Sequence, residues 1–308
     1  MIKKLFKKIL QSIGIQISLT DNTDPNQITE KKIGNYIMKL NHSHIHNSKF
    51  IFENYDKNLS RLVKSVKQKF ADSSVIDVGA NIGDSVAIIK QLSDVPIICI
   101  EGDDKYFKLL NANIKQFDNV VAINSFLGEK AEIIDGELKY DSGTLKIDLS
   151  ASNNKITINT LDDLFIQNEH LFKNCKFLKI DTDGFDFKIL KGAVNLIRRQ
   201  NPVLFFEYSE QHLREAGDDG LLLFEMIKEL GYKYLAYYDH TGRFMLSTNS
   251  DNVSLSNQMH NYISNYNSVI PYFDIAAFQA TDQDIFEQTI EEETKINRSG
   301  PNKLLYNP

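Results

Sequence analysis

Apolar and polar positions along the chain change period several times, and each change marks an element. Within residues 1–15, Ile2, Leu5, Phe6, Ile9, Leu10 and Ile13 share one helical face, while Lys3, Lys4, Lys7, Lys8 and Gln11 occupy the other. That spacing predicts an amphipathic helix packed on its own domain or on a partner, with a basic face that also suits an anionic membrane surface. Residues 21–50 are polar and weakly patterned, and read as a linker or an irregular cap. His42, His44 and His46 alternate there, which on a strand would align three imidazoles. The segment lacks strand character and has no Cys or carboxylate cluster, so a solvated loop is expected.

From residue 56 the pattern becomes regular. Leu59, Leu62, Val63, Val66 and Phe70 fall at helical spacing and lead into a buried strand at 75–78. A helix over 83–92, a strand at 96–100, a helix over 104–116 and a strand at 119–123 follow. Residues 130–160 break the rhythm with short alternating stretches and the turns Asp135-Gly136 and Ser142-Gly143, expected as hairpins on one edge. The rhythm resumes with a helix over 161–172, a strand at 176–180, a helix over 185–196, a strand at 203–206, a helix over 219–230 and strands at 232–237 and 273–279. Strands alternating with helices predict an α/β fold, a mostly parallel sheet with helices on both faces. The chain thus divides into an N-terminal extension (1–50), an α/β domain (51–285) and a C-terminal charged helix with a tail (286–308).

Composition narrows the partners. The net charge of −6 gives a surface that repels phosphates, so nucleic acid is not expected as the main partner. Cys99 and Cys175 are the only cysteines and stand in no metal-like spacing, which suits a reduced, cytoplasmic setting. No apolar run approaches the ~18 residues of a membrane span, and Lys7 and Lys8 interrupt the stretch a signal peptide needs. A basic N-terminal helix would place the protein at the inner face of the membrane.

In such sheets ligands sit at the C-terminal strand ends, near the point where strand order reverses. Four polar groups fall there: Asp77 with the Gly79–Asp84 loop, Glu101 with Asp103, Asp181 with Asp183, and Glu207 with His212. A strand turning into a helix N-terminus exposes backbone N–H groups, a site for a carboxylate or phosphate. Glu101 closes the second strand, where a carboxylate can accept ribose hydroxyls. A dinucleotide loop needs Gly-x-Gly-x-x-Gly, but here Gly79-Ala80-Asn81-Ile82-Gly83 places Asn81 at the middle glycine. Asp84, in the first helical turn, would repel a pyrophosphate. Acids around a tight loop better suit a zwitterion, and S-adenosylmethionine carries one. A nicotinamide dehydrogenase is the rival enzyme reading; the chain has no Tyr-x-x-x-Lys pair.

Val75-Ile-Asp-Val-Gly-Ala-Asn-Ile-Gly-Asp84 resembles the first motif of class I methyltransferases and, more narrowly, of the FkbM family. Ile98-Cys-Ile-Glu-Gly-Asp103 is similar to that family's adenosine-binding strand end. Leu161-Asp-Asp-Leu164, Phe177-Leu-Lys-Ile-Asp-Thr-Asp-Gly-Phe-Asp186, Ile189-Leu-Lys-Gly-Ala193 and Asn201-Pro-Val-Leu-Phe-Phe-Glu207 follow in the family's order, with Asp183 standing where the family usually has Glu. The resemblance spans residues 55–280. It implies a Rossmann-like fold with a mixed seven-stranded, mostly parallel sheet, and S-adenosylmethionine as cosubstrate. It also implies O-methylation of hydroxyls on glycans or polyketide-derived products.

Carried onto this chain, the resemblance implies cofactor contacts from Asp77, Gly79, Ala80, Asn81, Gly83, Asp84, Glu101, Gly102, Ser125, Phe126 and Asp181. Asp183 is the leading candidate for the acceptor-side base, with Glu207 and His212 next and Asp181 positioning the cofactor or loop. Asp181 and Asp183 could instead hydrogen-bond loop amides and cap the helix beginning near Phe185. A divalent cation on that pair, as in catechol-type methyltransferases, is disfavoured for want of a third ligand, so no metal is assigned. Tyr55, Asp56, Asn58 and the turn Asp141-Ser-Gly-Thr144 are expected to border the acceptor. That acceptor is expected to be a sugar hydroxyl of a bacterial surface polysaccharide or its glycolipid precursor. A lipid or polyketide-type acceptor is the alternative, and a non-catalytic scaffold of a glycan-assembly complex is the rival outside enzymes.

Overall fold

The computed structural model describes residues 28–41, 56–141, 144–148, 154–265 and 268–299. The first strands are β1 (Ile28–Ile33), β2 (Tyr36–Asn41), β3 (Ser74–Val78), β4 (Ile97–Glu101) and β5 (Val120–Asn124). Next come β6 (Phe126–Leu127), β7 (Glu132–Asp135), β8 (Glu137–Asp141), β9 (Thr144–Asp148) and β10 (Lys155–Asn159). The last are β11 (Cys175–Ile180), β12 (Val203–Tyr208), β13 (Tyr232–Asp239), β14 (Phe244–Asn249) and β15 (Phe273–Gln279). The helices are α1 (Lys57–Lys69), α2 (Asp84–Ile89), α3 (Asp104–Ile114), α4 (Leu161–Gln167) and α5 (Asp186–Lys191). They continue with α6 (Val194–Gln200), α7 (Glu210–Glu215), α8 (Gly220–Glu229), α9 (Val253–Ile263) and α10 (Gln283–Ser299).

The main sheet has the order β5-β4-β3-β11-β12-β15-β13-β14. β5, β4, β3, β11 and β12 pair in parallel, whereas β15 runs antiparallel to both β12 and β13. The expected seven strands are thus joined by an eighth, β14, which folds back on β13 at the turn holding Gly242. Strand order reverses between β3 and β11. The chain leaves β3 outward through β4 and β5, then returns to lay β11 on its other side. This reversal opens a crevice at the C-terminal strand ends.

Period-two alternation sends side chains to two cores. Ile76, Val78, Ile98, Ile100, Leu178 and Ile180 pack with residues of α4, α5, α6 and α8. Val75, Ile97, Cys99 and Phe177 pack on the other face with residues of α1, α2 and α3. The parallel register sets Lys179 beside Asp77 and Asp77 beside Cys99, so a charged pair lies within this second, otherwise apolar face. α10 closes the same side, where Arg61 of α1 donates two 2.7 Å hydrogen bonds to buried Glu293. No helix among the described residues is long and apolar enough to cross a membrane.

Several expectations change here. Part of the 21–50 segment, read as an irregular linker or cap, is the hairpin β1–β2. Met38 and Leu40 alternate inward and are fully buried in the second core. The signal was weak because Glu30 and Lys32 of the partner strand face solvent. Asn113 of α3 ties the hairpin down, accepting from the Lys39 N–H at 2.7 Å and donating to the Lys39 and Ile82 carbonyls. The single helix expected over 185–196 is two, α5 and α6, separated at Gly192, where a Cβ would fall 2.1 Å from the Gly128 carbonyl oxygen. Residues 130–160 supply β7 and β10, which with β6 form a small separate sheet, and the β8–β9 hairpin. The helix of residues 1–15, His42, His44, His46 and Tyr55 lie outside the described residues. So do the side chains of Asp141 to Thr144.

Candidate active site

A cavity of about 370 Å³ occupies the crevice between β3 and β11, within the range of small-molecule sites. Of the residues expected to contact a cofactor, Gly79, Asn81, Glu101, Gly102, Ser125, Phe126 and Asp181 line it. Asp77, Ala80, Gly83 and Asp84 do not; they form the layer behind. Ile100, Phe126, Leu127, Ile134 and Ile158 give the cavity an apolar wall, partly from the small sheet, suited to a planar heterocycle. Gly102 leaves room for that wall, since a Cβ there would sit 2.2 Å from the Phe126 ring.

Glu101 organises the polar end. Its Oε2 accepts from the Asn81 N–H and its Oε1 from the Asp103 N–H, both at 2.8 Å. Burial pushes its carboxyl up to about 7, against the two amide hydrogen bonds that favour the charged form. A carboxylate has about four lone-pair sites, so two remain for ligand hydroxyls. Asp103 itself caps α3, accepting from the Lys105 and Tyr106 N–H groups at 3.0 and 2.9 Å.

The loop after β3 is not the open amide cradle that a strand-to-helix turn suggests. The Gly79 and Ala80 N–H groups both donate to the Ile100 carbonyl, the Asn81 N–H to Glu101, and the Gly83 N–H to the Ala80 carbonyl. These four amides are satisfied internally, so an anionic group of the ligand must find other donors. Asn81 adopts φ 47, a left-handed conformation that asparagine tolerates. Gly79 has φ 75, and a Cβ there would meet the Asp181 carbonyl oxygen at 2.0 Å. Glycine is required because the β3 and β11 loops touch backbone to backbone.

Behind the cavity lies a residue that the motifs contained but that was not singled out. The buried Lys179 ammonium bonds Asp77 and Asp181, each at 3.2 Å. Burial works against its charge, but Asp181, Asp77 and Asp84 outweigh this and hold it well above the ordinary lysine value. Asp77 also accepts from the Ser85 hydroxyl. Asp84 is pushed up to about 6 by burial, with Lys179 opposing. A lysine inside the apolar run Phe177–Ile180 was the available signal.

On the far side of Asp181, the structure brings together Asp183, Glu207 and His212, with one ligating atom from each within 4.8 Å of the others. Glu207, at the end of β12, is buried, and its Oε1 lies 3.2 Å from His212 Nδ1. That contact, ahead of the opposing effect of burial, raises the imidazole above its ordinary value. His212 is carried by α7, which the hydropathy pattern missed. Its N-cap Ser209, accepting from the His212 N–H at 3.4 Å, was the usable signal. Asp183 has φ 52 and lines the cavity, and the following Gly184 packs against the His212 backbone.

Asp186 also holds this loop. Its Oδ2 accepts from the Thr182 N–H, the Thr182 hydroxyl and the Gly184 N–H at 3.3, 3.0 and 3.3 Å. The residues that gather around Asp183 are Glu207 and His212, not Asp181. Asn58 is fully buried beside Gly242, on the β13–β14 turn, which also contacts the backbone of Asp56.

The sequence model of the Methyltransferase FkbM domain matches residues 77–234, just over half of the 308-residue chain. No protein of curated function matches. Among solved structures, the chain is similar to a methyltransferase FkbM from Methylobacillus flagellatus KT, at 19% identity and a TM-score of 0.39 over 56% of this chain. It spans only 41% of that chain's length. TYW2 of M. jannaschii, in complex with AdoMet, is 12% identical with a TM-score of 0.40, over 83% of this chain and 87% of the other. A SAM-dependent methyltransferase from Aquifex aeolicus is 11% identical with a TM-score of 0.38, over 77% and 98%.

Proposed function

The chain belongs to the FkbM methyltransferase family, and from that premise we propose that it transfers the methyl group of S-adenosylmethionine to a sugar hydroxyl of a bacterial surface polysaccharide or its precursor. The observation that carries this reading is a division of labour across the strand-order reversal. Glu101 lines the cavity from the end of β4, and Asp181 and Asp183 line it from the β11 side, where Glu207 and His212 gather around Asp183.

The remaining lone pairs of Glu101 accept the two ribose hydroxyls, and the apolar wall at Phe126 and Ile158 takes the adenine. Asp181, ion-paired on one side to Lys179, turns its half-exposed carboxylate toward the methionine ammonium. Methyl transfer is an in-line displacement. The acceptor oxygen forms a bond to the methyl carbon as the carbon–sulfur bond breaks, and S-adenosylhomocysteine leaves. Holding the acceptor in near-attack geometry supplies about 7–11 kcal/mol. A sugar hydroxyl is a poor nucleophile, so a group taking its proton adds roughly 10²–10⁴ in rate. Asp183 fills that role at the cavity, and the Glu207–His212 pair is the second candidate.

The test is mass spectrometry of surface glycans from cells with and without the gene. The reading expects one CH₂ per acceptor sugar to be missing without it. Unchanged glycans, with a CH₂ lost from a lipid or polyketide instead, would move the acceptor class and leave the family standing. Lys3, Lys4, Lys7 and Lys8 support a site of action near the membrane, where lipid-linked precursors are held. Liposome flotation that is unaltered by deleting residues 1–15 would remove that part of the reading.

A further inference from the structure

We propose that Asp183, Glu207 and His212 form a site for one divalent cation of the manganese type, at the acceptor end of the cavity. Three side chains from three separate elements converge: the β11–α5 loop, the end of β12, and α7. Their ligating atoms lie within 4.8 Å of one another, so small side-chain rotations bring all three to coordination distances of about 2.2–2.4 Å from one ion. The 3.2 Å between Glu207 Oε1 and His212 Nδ1 is close to the edge between adjacent ligands, roughly 3.1 Å at right angles for bonds of ~2.2 Å. Two carboxylates and one imidazole make a mixed oxygen and nitrogen set, which suits a first-row transition-metal ion that also takes oxygen, such as Mn²⁺, better than an alkaline-earth ion bound by oxygen alone.

A second observation points the same way. Asp186 is 1% exposed, and its Oδ1 has no hydrogen-bond partner, although it feels the Glu207 carboxylate. Glu207 also stands opposite Asp274 in the β12–β15 ladder. The buried ammonium at these strand ends, Lys179, is already committed to Asp77 and Asp181. A buried polar oxygen without a hydrogen-bond partner is costly unless an ion or another group satisfies it.

Because Asp183 lines the cavity, the site adjoins the space an acceptor would enter. An ion there would chelate two neighbouring hydroxyls and make one of them more acidic. That use rests on the methyl-transfer reading, whereas the site itself does not.

The experiment is titration of the chelator-treated full chain with Mn²⁺, following free ion by electron paramagnetic resonance. One saturable ion per chain is expected, with affinity lowered at least tenfold, on the order seen when a metal's supporting groups are removed, in Asp183→Asn and in His212→Ala. Asparagine keeps the left-handed backbone at 183, and circular dichroism provides the folding control. A measurement on the unaltered chain adds a second arm: spin-echo modulation from a directly bound imidazole nitrogen. Absence of a saturable ion, binding indifferent to both substitutions, or a bound ion without nitrogen modulation would each overturn the site. Cofactor binding measured on the same sample distinguishes this failure from failure of the methyltransferase reading.

Discussion

The Glu101 side of the cavity is held by backbone, and the Asp183 side by side chains drawn from three elements. Around Glu101, two loop amides converge on one carboxylate, and the neighbouring loop amides are consumed by carbonyls, so the geometry is set before any ligand arrives. Around Asp183, Glu207 and His212, position depends on how α7 and the β11–α5 loop pack together, with Gly184 against the His212 backbone. The first arrangement suits a cosubstrate common to a whole family. The second can change with the acceptor while leaving the first untouched.

Breaking the layer beneath both sides has the largest expected effect. Lys179→Met leaves Asp77 buried beside a neutral side chain, and loss of one partner of a buried pair costs about 3–5 kcal/mol, most of it through Asp77 because Asp181 is half exposed. Urea melts measure this, and a loss below about 1 kcal/mol, typical of a surface pair, would deny the network its structural role. On the acceptor side, Asp183→Asn should lower the transfer rate by roughly 10²–10⁴ while cofactor affinity holds. An equal fall in affinity would show that the two sides are not separable. On the cofactor side, Glu101→Gln should weaken S-adenosylmethionine binding by about 1.5–3 kcal/mol, the range for a hydrogen bond to a charged group. Transfer at saturating cofactor should then stay near the unaltered rate.

The smallest effect is on pH. The Glu101 carboxyl is raised from 4.5 to about 7 by burial, so the folded chain keeps this proton where the unfolded chain has lost it. Its contribution to stability is present below 4.5 and is lost as pH rises through about 7. Ribose hydroxyls donate to the ionised form, so cofactor affinity should increase across the same window. Glu101→Gln should flatten that dependence, and a persisting slope would assign it to another group such as Asp84.

The same contrast explains what the sequence could reveal. The strands of the parallel sheet and the Gly79–Asp84 and Glu101 loops were legible because alternation and strand-end acids are local signals. Lys179 was overlooked because its role depends on the register of β11 against β3, which no single-strand pattern contains. α7 and β14 are short and were masked by mixed polarity, and the β1–β2 hairpin hid behind the charged outer face of one strand. The convergence of His212 on Asp183 is a tertiary fact, with only the cap at Ser209 to announce the helix that carries it. The internal use of the loop amides is likewise invisible until β4 is laid beside β3.

The most direct measurement is calorimetric titration of the chain with S-adenosylmethionine and S-adenosylhomocysteine, alongside Glu101→Gln. The account predicts one site per chain that binds both ligands and is weakened by the substitution. No heat from either ligand at millimolar concentration, or an affinity indifferent to Glu101, would contradict it.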